Sequence, residues 1–194
     1  MGFTRIHSRP EFPGYNGTMK NLLWVDLEMT GLDVEKEVVI EIAAIVTDLD
    51  FNERETYHAV VQQPQSYLDN MDDWNRAHHG ASGLTALVPN GVAPSLVEDQ
   101  LIALVERHFP AKNRGDFPVL AGNSIGQDRL FINRYFKRFA SKLHYRMLDV
   151  TSWKILFKDK FNREHKKGDQ HRALDDIRES IAELKYYLQF VKID

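Results

Sequence analysis

Residues 22–28 read Leu-Leu-Trp-Val-Asp-Leu-Glu, an apolar run that ends in two carboxylates separated by one residue. Such a run is typical of a β-strand buried inside a sheet. Because side chains alternate across a strand, Asp26 and Glu28 project from the same face, and the intervening Leu27 projects from the opposite face. The strand therefore brings two carboxylates side by side to its carboxyl end.

The runs that follow predict the rest of the sheet. Two more strand-like segments follow closely, at 38–49 and 56–62. Beyond Pro118 the pattern changes to strand, helix, strand, helix, with short strands at 119–122 and 146–150. Consecutive strands followed by alternating strands and helices predict a mixed β-sheet flanked by α-helices. The predicted fold class is therefore α/β.

Three longer helices complete this prediction. Apolar residues recur at helical spacing in segments 95–109, 127–143 and 172–191. Residues 1–18 show no such period and are rich in Gly, Pro and polar residues, so we expect a disordered or vector-derived leader there. Residues 19–194 are expected to form a single domain.

The composition excludes several classes of protein. The 194 residues include 43% hydrophobic and 27% charged residues, which is ordinary for a globular domain. There is no cysteine, which rules out disulfide frameworks and thiol nucleophiles and predicts a reducing, cytoplasmic location. The densest apolar stretch spans only 38–46, whereas a membrane span needs roughly 20 residues, so no membrane association is expected.

A third candidate carboxylate belongs to segment 122–128, which reads Gly-Asn-Ser-Ile-Gly-Gln-Asp. Asp128 falls in the first turn of a predicted helix, where the helix dipole favours a negative charge. It shares a helical stripe with Ile132 and Tyr135 and therefore points towards the core. A carboxylate in that position needs a partner.

The fourth carboxylate comes from segment 171–176, His-Arg-Ala-Leu-Asp-Asp. Helical phasing puts Asp176 near the apolar stripe of the last helix and Asp175 almost opposite it. Asp176 is therefore the ligand candidate, and Asp175 is its solvated neighbour. His171 precedes the helix on a loop, a position from which it can serve acid–base chemistry.

Carboxylates held side by side repel one another unless a cation lies between them. Hard divalent ions such as Mg²⁺ prefer oxygen ligands of this kind. The candidate metal ligands are Asp26, Glu28, Asp128 and Asp176.

These residues, in this order, resemble the DEDD-type 3′-to-5′ exonucleases with an active-site histidine, which belong to the ribonuclease H-like superfamily. Segments 24–32, 122–129 and 171–180 are similar to the oligoribonuclease family, and the resemblance covers about 20–191. It implies a ribonuclease H-like fold, a homodimer, and two Mg²⁺ or Mn²⁺ ions in each active site, held by the four carboxylates. The implied reaction is two-metal hydrolysis of very short oligoribonucleotides, down to dinucleotides, to 5′-mononucleotides, with His171 as a catalytic residue.

The same resemblance implies substrate contacts. Leu32 and Trp74 are implied as surfaces on which the two bases stack, a contact that tolerates any sequence. Tyr145 is implied as catalytic. Tyr145 and Arg146, with Thr151 shortly after, resemble the patch that caps the 5′ phosphate and is contributed from the partner subunit; the family often has serine at the position of Thr151. The other implied substrate-binding residues are His79 and Ser124.

Two alternative functions remain open. Segment 122–126 also satisfies G-x-S-x-G, the nucleophile elbow of serine esterases, and Asp149 and His171 follow Ser124 in the appropriate order. The acid pair of the first strand has no role in such an enzyme. The second alternative is a proofreading or tRNA-trimming exonuclease of the same superfamily that acts on longer strands.

The distribution of charge favours a short substrate. The chain carries 25 Lys plus Arg and 28 Asp plus Glu, a formal net charge of −3, which gives it no overall attraction for nucleic acid. Residues 134–167, however, hold 11 Lys plus Arg and 3 Asp plus Glu, a local charge of +8. This segment contains Arg146, and outside it the sequence offers no long basic track.

Overall fold

A mixed β-sheet forms the centre of the protein in the computed structural model, which describes residues 19–166 and 172–192. Its strands are β1 (Asn21–Met29), β2 (Val39–Asp48), β3 (Glu53–Val60), β4 (Leu120–Gly122) and β5 (Met147–Asp149). They lie in the order β3-β2-β1-β4-β5. The first three strands pair antiparallel, whereas β4 and β5 pair parallel, so the predicted mixed sheet is confirmed.

Helices pack on both faces of this sheet. In the described residues they are α1 (Gln65–Asp69), α2 (Asp73–Ala81), α3 (Leu84–Leu87), α4 (Pro94–His108), α5 (Ile125–Tyr135), α6 (Lys137–Ala140), α7 (Val150–Phe161) and α8 (Ala173–Leu188). Within the described ranges, none of them is long and apolar enough to traverse a bilayer. The leader predicted for residues 1–18 lies outside the described residues.

Strand β1 lies at the centre of the sheet and separates two apolar cores. Val25 and Leu27 pack on one face together with residues of α4, α5 and α6. Trp24 packs on the other face together with residues of α7 and α8. The predicted alternation of β1 is confirmed, and Asp26 and Glu28 continue the face that α8 covers.

One predicted helix boundary is wrong. The helix expected over 127–143 is divided into α5 and α6, because a carboxylate from another helix caps the second segment. Glu98 of α4 accepts hydrogen bonds from the backbone N–H groups of Arg138 and Phe139, at 2.7 and 3.1 Å. Helical periodicity could not predict this cap, because its acceptor, Glu98, is 40 residues away in the sequence.

Strand β2 is buried along nearly its whole length and carries one carboxylate into the interior. Glu41 is fully buried and lies opposite Glu28 in the β1–β2 register. Its Oε1 accepts hydrogen bonds from Arg172 Nη2 and His58 Nε2, each at 2.6 Å. Burial raises the pKa of Glu41, but these hydrogen bonds outweigh burial and lower the pKa below its ordinary value. Glu41 and Arg172 therefore fasten the sheet to the start of α8.

We expect Glu41→Ala to lower the free energy of unfolding by about 2–4 kcal/mol, since it leaves Arg172 without its buried counter-charge. The matched control is Glu53→Ala. The Glu53–Arg178 pair also joins a strand to α8, at 3.0 Å, but both of its side chains are more than one-third exposed. Its loss should cost less than about 1 kcal/mol. Urea unfolding followed by circular dichroism measures both variants, and equal losses would contradict the expectation.

Candidate active site

Three of the four predicted metal ligands meet at the carboxyl end of β1. One oxygen each from Asp26, Glu28 and Asp176 lies within 4.8 Å of the others. The first two come from β1, and Asp176 comes from the first turn of α8, which packs across β1 and β2. All three side chains are partly buried. A set of carboxylate oxygens at this spacing fits a hard divalent cation.

Asp128 reaches the same strand from the opposite face. It is buried in the first turn of α5, and its Oδ1 accepts a hydrogen bond from the backbone N–H of Leu27 at 3.0 Å. Strand β4 pairs with β1 only at Leu23 and Trp24, so the strand ladder does not extend to Leu27 on that side. Among the described residues Asp128 lies outside the 4.8 Å carboxylate group, with one oxygen held by β1.

Burial and neighbouring charges perturb two of the carboxylates. The pKa of Glu28 is raised to about 8, mainly by burial and then by the charges of Asp176, Glu41 and Asp128 in that order. Burial likewise raises the pKa of Asp128 to about 7. A cluster that retains protons near neutral pH is one in which negative charge lacks a counter-ion. A bound divalent cation would provide that counter-ion.

The predicted catalytic histidine, His171, lies outside the described residues. Its chain neighbour Arg172 is described, and it is anchored by Glu41 as given above.

The predicted base-stacking residues are exposed. Leu32 and Trp74 have 73% and 68% of their surfaces accessible, so both side chains are available to a ligand. The carbonyl oxygen of Leu32 accepts a hydrogen bond from Gln127 Nε2 at 2.8 Å, which ties this loop to α5. His79 on α2 is 2% exposed, and its Nε2–H donates to the carbonyl oxygen of Met29 at 2.9 Å. This bond holds α2 against the end of β1.

Ser124 and Thr151, both implied as substrate contacts, lie together in one chain. The backbone N–H of Ser124 donates to Thr151 Oγ1 at 2.8 Å, and the two hydroxyl oxygens are 3.1 Å apart. They line a cavity of about 410 Å³. Asn123 and Lys154 also line it and were missed by the sequence analysis. Lys154 stands three residues after Thr151, so helical spacing on α7 was the available signal.

Tyr145 and Arg146 precede β5, the edge strand of the sheet. The Tyr145 ring is 70% exposed and stacks on His144 with ring centroids 4.6 Å apart. The Arg146 guanidinium lies 5.4 Å from the centroid of the Tyr145 ring. Both side chains thus project from the edge of the sheet into solvent in the single chain.

The serine-nucleophile interpretation of Ser124 has a competing structural explanation. Ser124 adopts the left-handed backbone conformation, with φ of 50°, between β4 and α5. Its backbone N–H and that of Thr151 both donate to Asp149 Oδ1, at 3.0 and 2.9 Å. Asp149 therefore joins two turns of the chain through backbone N–H groups, which is a structural role for the acid of the predicted triad.

The comparison with protein families is consistent with the metal site. The exonuclease family model RNase_T matches residues 23–184, which is most of the chain. The chain belongs to this exonuclease family. This membership favours the nuclease interpretation over the serine esterase.

Two relatives define the family more closely. Oligoribonuclease from Pseudomonas aeruginosa PAO1 is 44% identical over 180 residues, which cover 90% of this chain and 98% of that protein. The mitochondrial oligoribonuclease of Homo sapiens is 42% identical over 174 residues, which cover 87% of this chain and 72% of that protein. The chain belongs to the oligoribonuclease family and is a 3′-to-5′ exoribonuclease.

Solved structures share the fold. Escherichia coli Exonuclease I in complex with a dT13 oligonucleotide superimposes with a TM-score of 0.65 at 16% identity, covering 87% of this chain. Apo Exonuclease I gives a TM-score of 0.66 at 14% identity. The chain spans 41% and 42% of the length of those two chains. The predicted ribonuclease H-like fold is confirmed.

We expect the stability of the metal-free protein to fall as pH rises from about 5 to about 8. The folded-state pKa values of Glu28 and Asp128, about 8 and about 7, lie above the ordinary values of 4.5 and 3.8. The folded state therefore holds more protons than the unfolded state in this window, and stability is lost as the two groups ionise. The loss should amount to a few kcal/mol.

Urea unfolding of EDTA-treated protein across this pH range measures the slope. Millimolar Mg²⁺ or Mn²⁺ should flatten it by neutralising the carboxylates. The Glu28→Gln variant is the matched control and should show a smaller slope without metal. A metal-free stability that rises between pH 5 and 8 would contradict the expectation.

Proposed function

We propose that residues 19–194 form a single exonuclease domain that degrades RNA of two to a few nucleotides to 5′-mononucleotides. The observation that carries this proposal is the convergence of Asp26, Glu28 and Asp176 in a member of the oligoribonuclease family. Asp128 is proposed as the fourth ligand. Its second oxygen is the one available for this role, since Oδ1 binds the Leu27 N–H.

The proposed cofactor is a pair of Mg²⁺ or Mn²⁺ ions in each active site. The donor set fits them, since it consists of carboxylate oxygens, and burial raises the pKa values of two of its members, Glu28 and Asp128. When bound, such ions activate water and stabilise negative charge on the reacting phosphate and leaving oxygen. Four carboxylates and two divalent ions have balanced charges.

The protein groups move the protons and position the substrate. We assign His171 as the general base, with one neutral imidazole nitrogen taking the proton of the attacking water. Glu41 supports this role by fixing Arg172, the residue next to His171 in the chain. Tyr145 is proposed as the second catalytic residue.

The substrate contacts follow from exposure and position. Leu32 and Trp74 offer apolar surfaces on which two bases can stack without regard to sequence. His79, which α2 holds against the end of β1, is proposed to contact the nucleotide beside the carboxylates. Ser124 and Thr151, which share the 410 Å³ cavity, are proposed to bind the 5′ phosphate of the substrate.

A homodimer would complete this phosphate site. Tyr145 and Arg146 project from an edge strand, and we propose that they reach the partner's phosphate site. The neighbouring α7 exposes Ile155 and Leu156, which are 58% and 51% accessible in the single chain. Exposed apolar side chains beside a sheet edge support such an interface. A cap on the 5′ phosphate would also limit substrate length.

The proposed compartment is the cytoplasm. A chain without cysteine is compatible with a reducing interior. The names of the mammalian relatives place those proteins in mitochondria, so targeting differs within the family.

Substrate length provides the main test. In Mg²⁺ we expect the protein to hydrolyse a labelled dinucleotide at least tenfold more efficiently, by kcat/KM, than a 20-mer of RNA. EDTA should abolish both activities. Asp176→Ala should remove turnover while circular dichroism shows an intact fold, because Asp176 belongs to the carboxylate cluster. Separation of products on denaturing gels measures each rate.

The matched control for this test is Asp175→Ala, since the Asp175 carboxylate pairs with Arg178, at 3.8 Å, in a pair exposed to solvent. Its activity should stay close to wild type. Preference for the 20-mer would instead support the proofreading or tRNA-trimming alternative. Equal damage from the two aspartate variants would contradict the placement of Asp176.

Complementation between subunits tests the dimer. Asp176→Ala and Arg146→Ala each damage a different part of the proposed shared site. Co-expressed with different tags, the two variants should form mixed dimers. In each mixed dimer, one of the two active sites has both native Asp176 and native Arg146. Random mixing makes half of the dimers mixed, so activity on a 5′-phosphorylated dinucleotide should recover to about one-quarter of wild type.

The separately purified variants, mixed without subunit exchange, are the control and should show no recovery. An Arg146→Ala protein that binds 5′-phosphorylated and 5′-hydroxyl dinucleotides with unchanged affinities would remove Arg146 from the cap. Absence of recovery in purified mixed dimers would show that each site is complete within one chain.

A further inference from the structure

We propose that Glu28, His78 and His79 form a second metal site, specific for borderline divalent ions such as Zn²⁺, whose occupation inhibits the enzyme. One ligand atom from each of the three residues lies within 4.8 Å of the others. The inference rests on the proposed function in one respect, which is that Glu28 also serves the catalytic cluster.

The position of His79 favours metal ligation. Its Nε2–H donates to the Met29 carbonyl oxygen at 2.9 Å, so in the neutral ring the lone pair is on Nδ1. Nδ1 lies 3.9 Å from Glu28 Oε2. Ligand atoms around a tetrahedral zinc ion lie about 3.4 Å apart, given bonds of roughly 2.1 Å, so a small adjustment would close the site.

The hydrogen bond to Met29 is itself typical of a metal-binding histidine. Such a ring usually donates its second N–H to a carbonyl or carboxylate, which fixes its tautomer and orientation. His79 is 2% exposed, so the surrounding protein also limits its rotation. The ring is therefore held with one nitrogen directed towards Glu28 before any ion arrives.

His78 is restrained by a different contact. Its ring stacks on Trp74, one turn earlier on α2, with centroids 4.7 Å apart and planes inclined by 9°. It also meets the His79 ring edge-on at 5.4 Å. Two adjacent histidines on a helix normally point in different directions, and here the Trp74 stack helps to orient His78 beside its neighbour.

The two groups that share Glu28 differ in their preferred ions. The cluster of Asp26, Glu28 and Asp176 offers only oxygen, which suits Mg²⁺ and Mn²⁺, whereas the second group offers two imidazoles and one carboxylate. Imidazole nitrogen is favoured by Zn²⁺ and by other ions late in the first transition series. An ion bound to the second group would withdraw Glu28 from the catalytic cluster and occupy the place proposed for the nucleotide near His79.

Binding can be measured without turnover. Calorimetric titration of Zn²⁺ into wild-type protein, in excess Mg²⁺ and without RNA, should show one tight site. His78→Gln should weaken it at least tenfold. The matched control is His108→Gln. The backbone carbonyl of His108 accepts a hydrogen bond from Asn21, at the opposite end of β1, so this variant should bind Zn²⁺ as wild type does. Nitrogen NMR of labelled histidine should show zinc-induced shifts at His78 and His79.

Inhibition gives the functional outcome. Zn²⁺ should inhibit dinucleotide hydrolysis in excess Mg²⁺, and EDTA followed by Mg²⁺ should restore it. With rates normalised to each variant's zinc-free rate, His78→Gln should require at least tenfold more Zn²⁺ for half inhibition, and His108→Gln should not.

Equal zinc affinity in wild type and His78→Gln would overturn the inference, as would zinc that binds tightly but leaves hydrolysis unaffected. Failure of the proposed function gives a different pattern. If the protein does not hydrolyse short RNA at all, the calorimetric difference between the two histidine variants would still be present.

Discussion

Electrostatic repulsion among carboxylates at the end of one strand is the constraint on which the rest of the structure depends. Asp26 and Glu28 lie two residues apart on β1, Asp176 meets them from α8, and Glu41 lies opposite Glu28 in the sheet. Four acids in such proximity destabilise a folded chain unless protons, cations or hydrogen bonds offset their charge. The protein treats Glu41 and Glu28, which lie opposite each other in the sheet, in different ways.

Glu41 is neutralised within the protein, because Arg172 and His58 both donate to it. The pKa of Glu41 is accordingly lowered. The pKa of Glu28, to which neither Arg172 nor His58 donates, is raised to about 8. Asp128 is an intermediate case, since backbone N–H groups, that of Leu27 among them, donate to its carboxylate while burial raises its pKa. Glu28 and Asp128, whose pKa values are raised, both belong to the set proposed to bind metal ions, so metal binding there would also stabilise the fold.

Local patterns were sufficient to predict much of the fold and part of the site. The alternation along β1 predicted that Asp26 and Glu28 share one face, and helical phasing predicted that Asp176 turns towards them and Asp175 away. In the structure Asp26, Glu28 and Asp176 lie together, and Asp175 lies in a solvent-exposed pair. The features that could not be predicted depend on distant partners: Glu98 divides a helix from 40 residues away, and Glu41 meets Arg172 across 131 residues. Of the two histidines on α2, the sequence analysis named only His79. The orientation of His78 depends on its stack with Trp74, which the sequence does not show.

The shortness of β4 has a consequence for how such a site can exist. Gly122 ends this strand, and a Cβ there would lie 2.9 Å from the carbonyl oxygen of Val25, so glycine permits β4 to approach β1 at this point. Had β4 continued, its backbone would occupy the N–H of Leu27 that Asp128 now binds. The sheet is left incomplete beside the carboxylate cluster, and the hydrogen bond that a longer strand would have made is made by Asp128. A longer β4 would add regular sheet but remove the contact that fixes Asp128, so the placement of this fourth proposed ligand depends on the early end of a neighbouring strand.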